Sequence, residues 1–151
     1  MIGRAEKSEI YKKSLCHRIV HVLIFNSKGE MALQLRSENV SFCPWHWSTT
    51  VGGHVQAGES YEEGALREYQ EELRAKSPLE FFSKDFYSAE GVPNKFLVTY
   101  KTTFEGPFHP DPMAVERVGY FSLSDIKKMI ERGEKFHPEL LFLLHKYFLL
   151  M

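Results

Sequence analysis

A chain of 151 residues, 43% of them hydrophobic and 26% charged, is the size of one compact domain, here 1–151. Its net charge of −1 carries no basic footprint, so no nucleic-acid partner is expected and any acidic chemistry must be local. Cys16 and Cys43 have no CxxC spacing, the charged N-terminus has no apolar stretch, and the run ELLFLLHKYFLLM is short and broken by His145 and Lys146. These features exclude a signal peptide and a membrane span and point to a cytoplasmic protein with two reduced thiols.

In chain order, HRIVHVLIF over His17–Phe25 is the first expected strand, rich in Val and Ile. NSKG at 26–29 reads as a turn and EMALQLR at 30–36 as the returning strand of a hairpin. SENVSFCP is loop, and WHWSTTVGG is a β-rich run into two glycines. The strongest helix runs from Ser60 to Arg74, where Ser60 and Glu63 form a capping box and Tyr61, Ala65, Leu66, Tyr69 and Leu73 supply a face to bury. KFLVTYKTTF (95–104) and VERVGYF (115–121) read as strands flanking an FHPDP loop. Ser122 or Ser124 caps a helix through Arg132, which Gly133 ends, and Pro138 opens the last helix. That greasy helix suits its own core or a neighbouring subunit equally, which leaves a homodimer open. Strands around one long central helix imply a mixed α/β layered domain.

The central helix is unusually acidic, with Glu59, Glu62 and Glu63 at its start and Glu68, Glu71 and Glu72 further on. At about 100° per residue the last three share one sector beside the apolar face. Left alone, Glu68 and Glu72 repel as an i,i+4 pair. A cation between them removes that cost, and hard carboxylate oxygens select Mg²⁺ or Mn²⁺ over Zn²⁺. The bland alternative is a solvated surface helix with Arg67 paired to Glu71. Favouring the first reading, Gly52 and Gly53 leave strand-end carbonyls open and Gly58 permits a tight turn before Glu59, which together make a cradle for a metal-bound diphosphate.

The segment GHVQAGESYEEGALREYQEELRA (53–75) resembles the Nudix box, Gly-x5-Glu-x7-Arg-Glu-U-x-Glu-Glu-x-Gly-U, where U is bulky and aliphatic. Gly53, Glu59, Arg67, Glu68, Glu71 and Glu72 match at the required spacings. The chain departs at Arg74, where the box has Gly, and at Tyr69 and Ala75 in the bulky positions; the lost glycine is expected to alter the helix exit. The resemblance implies an α/β/α sandwich with a mixed sheet, and a Mg²⁺- or Mn²⁺-dependent hydrolase of small-molecule diphosphates. It implies Glu71 and Glu72 as metal ligands with the Gly52 carbonyl, Glu68 as a further ligand or the base, Arg67 as the clamp on the glutamates, and Glu59 as a residue that orients the loop or supports the ligands from behind.

The flanks HRIVHVLIFNSKGEMALQLRS and GGHVQAGES resemble isopentenyl-diphosphate isomerase and its hydrolase-like relatives. The isomerase has Cys-Gly-His-Pro where this chain has Gly52-Gly53-His54-Val55, and a Glu-Asn-Glu whose nearest counterpart here is Pro93-Asn94-Lys95. Hydrolysis is therefore expected over isomerisation, with a non-catalytic nucleotide-binding module as the third reading. His17 and His54 match histidine ligands of the isomerase, against the plainer role of hydrogen-bonded strand residues. Arg36, Gly53, His54 and Glu59 are the expected substrate-side residues. Glu116, with Asp111 nearby, is the nominee for a loop base, although Met113-Ala114 stands where that base would align. Trp45 and Trp47 are read either as core or as a surface on which a ring stacks, and His137-Pro138 as the start of a helix.

Overall fold

Alternate side chains of β1 (His17–Phe25) enter two different cores, Val20, Val22 and Ile24 on one face and Leu23 on the other. The computed structural model describes residues 17–74, 76–91 and 94–148; the charged N-terminal stretch with Cys16, then Ala75, Pro93 and the last three residues of the greasy C-terminal run, lie outside them. β1 runs parallel to β6 (Lys95–Thr103) along its whole length and antiparallel to β4 (Val51–His54). It joins β2 (Met31–Arg36) through the expected hairpin, where Asn26 Oδ1 accepts from the Lys28 and Glu30 amides at 3.0 and 2.9 Å. β3 (Trp47–Thr49) and β5 (Glu80–Tyr87) are the ends of the order β3–β2–β1–β6–β5, while β7 (Val115–Phe121) pairs with β2.

One face of this mixed sheet is covered by α1 (Tyr61–Leu73). Its capping box is formed, with the Ser60 hydroxyl accepting from Glu63 N at 3.1 Å and the Glu63 carboxylate from Ser60 N at 2.8 Å. Such a cap stabilises by about 1 kcal/mol. Ala65, Tyr69 and Leu73 bury against Val20, Val22, Val51 and Val98. Leu66, expected on that face, is instead exposed, because it sits one residue and a turn of about 100° beyond Ala65. The opposite face is covered by α2 (Leu123–Glu131), capped by Ser122, and α3 (Pro138–Tyr147). Their Ile126, Met129, Leu140 and Leu144 pack on Leu23, Met31, Leu33 and Trp47. The α/β/α sandwich expected from the resemblance is thus present, and the apolar face of α3 is buried within this chain. Among the described residues no helix is long and apolar enough to cross a membrane.

Three local expectations change. The β-rich run before the glycines breaks at Thr50 into β3 and β4. β5, which no pattern in the sequence singled out, adds an antiparallel edge to β6. The helix exit is not rebuilt around Arg74: that residue takes φ 51°, ψ 39°, the left-handed cap, and donates its N–H to the Gln70 carbonyl at 2.9 Å. A side chain in that conformation is strained where glycine is not. Arg74→Gly should therefore raise the unfolding free energy by about 1 kcal/mol in urea titration, less the unfolded-state entropy that glycine adds; a loss of stability would show that the Arg74 side chain does more than tolerate the turn.

Candidate active site on the acidic helix

The turn of Gly58 delivers Glu59 beneath α1, where its carboxylate receives Arg67 in two bonds, Nε to Oε2 at 2.7 Å and Nη2 to Oε1 at 3.0 Å. Glu59 also accepts the Gln56 amide at 2.9 Å. The Arg67 guanidinium, and then that amide, hold the Glu59 carboxyl down at about 2. Arg67 continues to Glu68 Oε1 at 2.8 Å, to the His54 carbonyl at 3.2 Å and, more loosely, to Glu71 Oε2 at 3.4 Å. One planar cation thus ties the loop, β4 and two glutamates together.

Gly53 is required by close approach: a Cβ there would lie 2.6 Å from the carboxyl carbon of Glu68. Glu72 is turned inward, and its Oε2 is buried without a hydrogen-bond partner. Burial, and next the neighbouring Glu68 carboxylate, push the Glu72 carboxyl up to about 10, while the Gly52 backbone and the Arg36 charge pull it the other way. A buried acid held protonated beside a second carboxylate, with an oxygen left over, is the environment a divalent cation relieves. Glu68 and Glu72 with the Gly52 strand end therefore fit a hard metal ion. Glu71 is brought to the rim only, its side chain 60% exposed and turned to Arg67. Among the described residues no three His, Cys, Asp or Glu side chains converge as a ready-made cage, and Arg67 holds one oxygen each of Glu68 and Glu71.

The remaining nominees separate clearly. His54 pairs with His17, Nε2 to Nδ1 at 3.0 Å, beside the Arg67 clamp. Arg36 ends β2, donates through Nε to the Phe42 carbonyl at 2.9 Å, and lies within electrostatic reach of Glu72. Glu116, nominated as a base, is exposed on β7, where its neighbours Val115 and Arg117 lie opposite Arg36 and Leu35 of β2. Asp111 caps a turn, accepting from Met113 N at 3.0 Å. Trp47 is core, edge-on to Phe121 and donating through its indole N–H to Glu134, whereas Trp45 is 46% exposed. His137 accepts from Glu139 N at 3.2 Å, as a helix start requires, and its burial lowers it to about 4.

A buried charge network went unread in the sequence. Glu139 of α3 binds His21 Nε2 at 2.8 Å and Lys95 Nζ at 2.6 Å, and His21 Nδ1 meets Thr49 Oγ1 at 2.8 Å. Burial opposes the Glu139 charge, but His21 and Lys95 outweigh it and hold its carboxyl far below the usual range. This network lies directly under the strand end, since a Cβ on Gly52 would come 3.1 Å from His21 Nδ1. The one signal in the sequence was a lone carboxylate inside the apolar PELLFLL. A separate groove of about 700 Å³, lined by Phe25, Pro78, Lys101, Thr102 and Phe148 among others, opens at the other end of β1 and includes none of the site residues.

Compared with known families, residues 16–144 match the NUDIX domain. The chain belongs to the Nudix family. It is 31% identical to isopentenyl-diphosphate Delta-isomerase 2 of Photorhabdus laumondii over 112 residues, 74% of this chain and 63% of that protein. It is 39% identical to an uncharacterized Nudix hydrolase of Pseudomonas aeruginosa over 72 residues, 48% of this chain and 43% of that one. The chain thus spans about half to two thirds of these curated relatives. Among solved structures, DR0079 from Deinococcus radiodurans superposes with a TM-score of 0.80 at 22% identity, covering 97% of this chain and 90% of its own, a likeness of fold.

Proposed function

We propose that this Nudix protein is a Mg²⁺- or Mn²⁺-dependent hydrolase of a diphosphate bond in a small molecule, with a nucleoside diphosphate linked to another moiety as the substrate class. The observation that carries the reading is the buried Glu72 carboxyl, with one oxygen unpartnered, beside Glu68 and the glycine strand end. A divalent ion bound there would neutralise diphosphate oxygens and activate water for attack on phosphorus. The chain's own residues do the positioning. Arg67 fixes Glu68 Oε1, which leaves the other Glu68 oxygen for the ion or for the proton of the attacking water. Gly52 and Gly53, lacking side chains, let His21 and the Glu68 carboxylate close on the strand end, and Arg36 supplies positive charge at the end of β2.

The isomerase reading, favoured by the Photorhabdus relative, meets two obstacles. A cysteine at position 52 would press on His21, and the strand position where the resemblance implies an acid holds Lys95, already bound to Glu139. The test is incubation of the protein with dinucleotides, nucleotide sugars and isopentenyl diphosphate, with Mg²⁺ and then with EDTA. Cleavage that requires the metal supports the hydrolase. Conversion of isopentenyl to dimethylallyl diphosphate would establish the isomerase, and binding without turnover the non-catalytic module. At 5 mM EDTA, or a comparable excess of chelator on the order of millimolar, activity should fall below about 1% of the Mg²⁺ rate.

A further inference from the structure

We propose that His21 is a positioning residue for the metal site, its ring bearing on the Gly52 end of β4 from the face opposite α1 and fixing where the Gly52 carbonyl stands; the inference rests on the metal-dependent reading above. β4 is four residues long, is paired only with β1 among the described strands, and is cut off from β3 by the break at Thr50. Pairing along one side leaves such a strand end free to tilt. A site residue, in contrast, must be held within about 0.5 Å of its productive place.

The residues at this strand end divide between the two faces of the sheet. Gly53 turns towards α1, where a Cβ would meet the Glu68 carboxylate. Gly52, one residue earlier, turns the other way. It stands opposite His21 of β1, and a Cβ there would lie 3.1 Å from Nδ1 of the ring and 3.3 Å from Thr49 Oγ1. The ring therefore packs on the Gly52 backbone with no room for a side chain between them. His21 Nδ1 also bonds Thr49, the last residue of β3, at 2.8 Å. One ring thus holds both sides of the break at Thr50.

The ring cannot swing, because its other nitrogen is fixed. Nε2 meets Glu139 Oε1 at 2.8 Å, and Lys95 Nζ holds Oε2 of the same carboxylate at 2.6 Å. Stability alone does not call for this arrangement, since apolar side chains of similar volume commonly replace a buried ion network without loss. What apolar side chains lack is an orientation fixed at two nitrogens, and His21 has it at the one place where β4 begins. Outer partners of this kind orient the ligands of metal sites. The other end of α3 offers a control. There a second buried carboxylate, Asp85 of β5, accepts from Tyr147 Oη at 2.7 Å and from Ser83 Oγ at 3.0 Å and pairs with Lys146. It docks the same helix, but on a strand that β6 separates from β1.

The test is calorimetric titration of Mn²⁺ into the wild type, His21→Leu, Glu139→Gln, Asp85→Ala and the triple variant His21→Leu with Lys95→Met and Glu139→Leu, each with a thermal melt. Mn²⁺ affinity should fall roughly 10- to 100-fold in His21→Leu, the range for an outer partner of a metal ligand. The triple variant should regain stability yet bind Mn²⁺ as weakly as His21→Leu. Glu139→Gln should keep most of the affinity: its oxygen can turn to Lys95 and its amide to His21 Nε2, with the ring proton moved to Nδ1. Asp85→Ala should melt lower and bind Mn²⁺ as the wild type does. Wild-type affinity in His21→Leu or in the triple variant, or an equal loss in Asp85→Ala, would overturn the positioning role. Failure of the wild type to take up Mn²⁺ would instead sink the metal site on which it rests.

Discussion

Glu72→Gln should lower metal-dependent diphosphate cleavage by more than about 100-fold while leaving the protein folded. Partners one shell removed from a metal already cost 10- to 100-fold when mutated, and Glu72 is argued to hold the ion itself. The fold survives because glutamine keeps the volume and the neutral state that the buried acid adopts without metal, its carboxyl being pushed up to about 10. The same shift fixes a pH dependence. An acid with an ordinary value of 4.5 unfolded and about 10 folded leaves the native state holding the extra proton between those limits. Metal-free wild type should therefore lose stability relative to Glu72→Gln as pH rises from about 5 to 9, and added Mg²⁺ should restore it in the wild type alone. Thermal melts in EDTA and in Mg²⁺ at the two pH values measure this. Parallel curves for the two proteins would mean that Glu72 is charged and solvated in solution.

The second large effect belongs to the floor of the site. Glu139→Ala should destabilise the protein by about 3–5 kcal/mol in urea, because it leaves His21 and Lys95 buried without their shared carboxylate. The Coulomb attraction alone does not account for this cost. Two cationic or polar groups must find water in a space that α3 and the sheet close, while the cap of α3, which uses the backbone N–H of residue 139, remains. Replacing the members together, as His21→Leu with Lys95→Met and Glu139→Leu, should recover most of the loss, since an apolar substitute for a whole buried network is commonly neutral. A loss below about 1 kcal/mol for Glu139→Ala would show that water already reaches the cluster.

Much of this site was legible in the sequence because it is local. Ser60 and Glu63, the glycines at 52 and 53, and the spacing from Glu59 to Glu72 lie within one strand–turn–helix, where period and cap chemistry fix geometry. Arg67 reaches Glu59 and Glu68 eight residues and one residue away. What stayed hidden is non-local. Lys95 and Glu139 are 44 residues apart, and His21 and Glu139 are 118 apart, so only the fold brings them under Gly52. The two tryptophans could not be sorted, because their difference is a loop conformation and not a composition. β5 escaped notice for another reason: EFFSKDFY alternates around a register irregularity between Phe81 and Ser83, which breaks the period a strand would show. Which side of β7 Glu116 faces is likewise set by pairing with β2, which its place in the chain does not show.

The most direct test of the central claim is a single assay: products from a panel of nucleoside diphosphate compounds, resolved by mass spectrometry, with wild type and Glu72→Gln in Mg²⁺ and in EDTA. The account predicts cleavage at a phosphoanhydride bond by the wild type in Mg²⁺ only. Cleavage that persists in EDTA, or at the wild-type rate in Glu72→Gln, would contradict it.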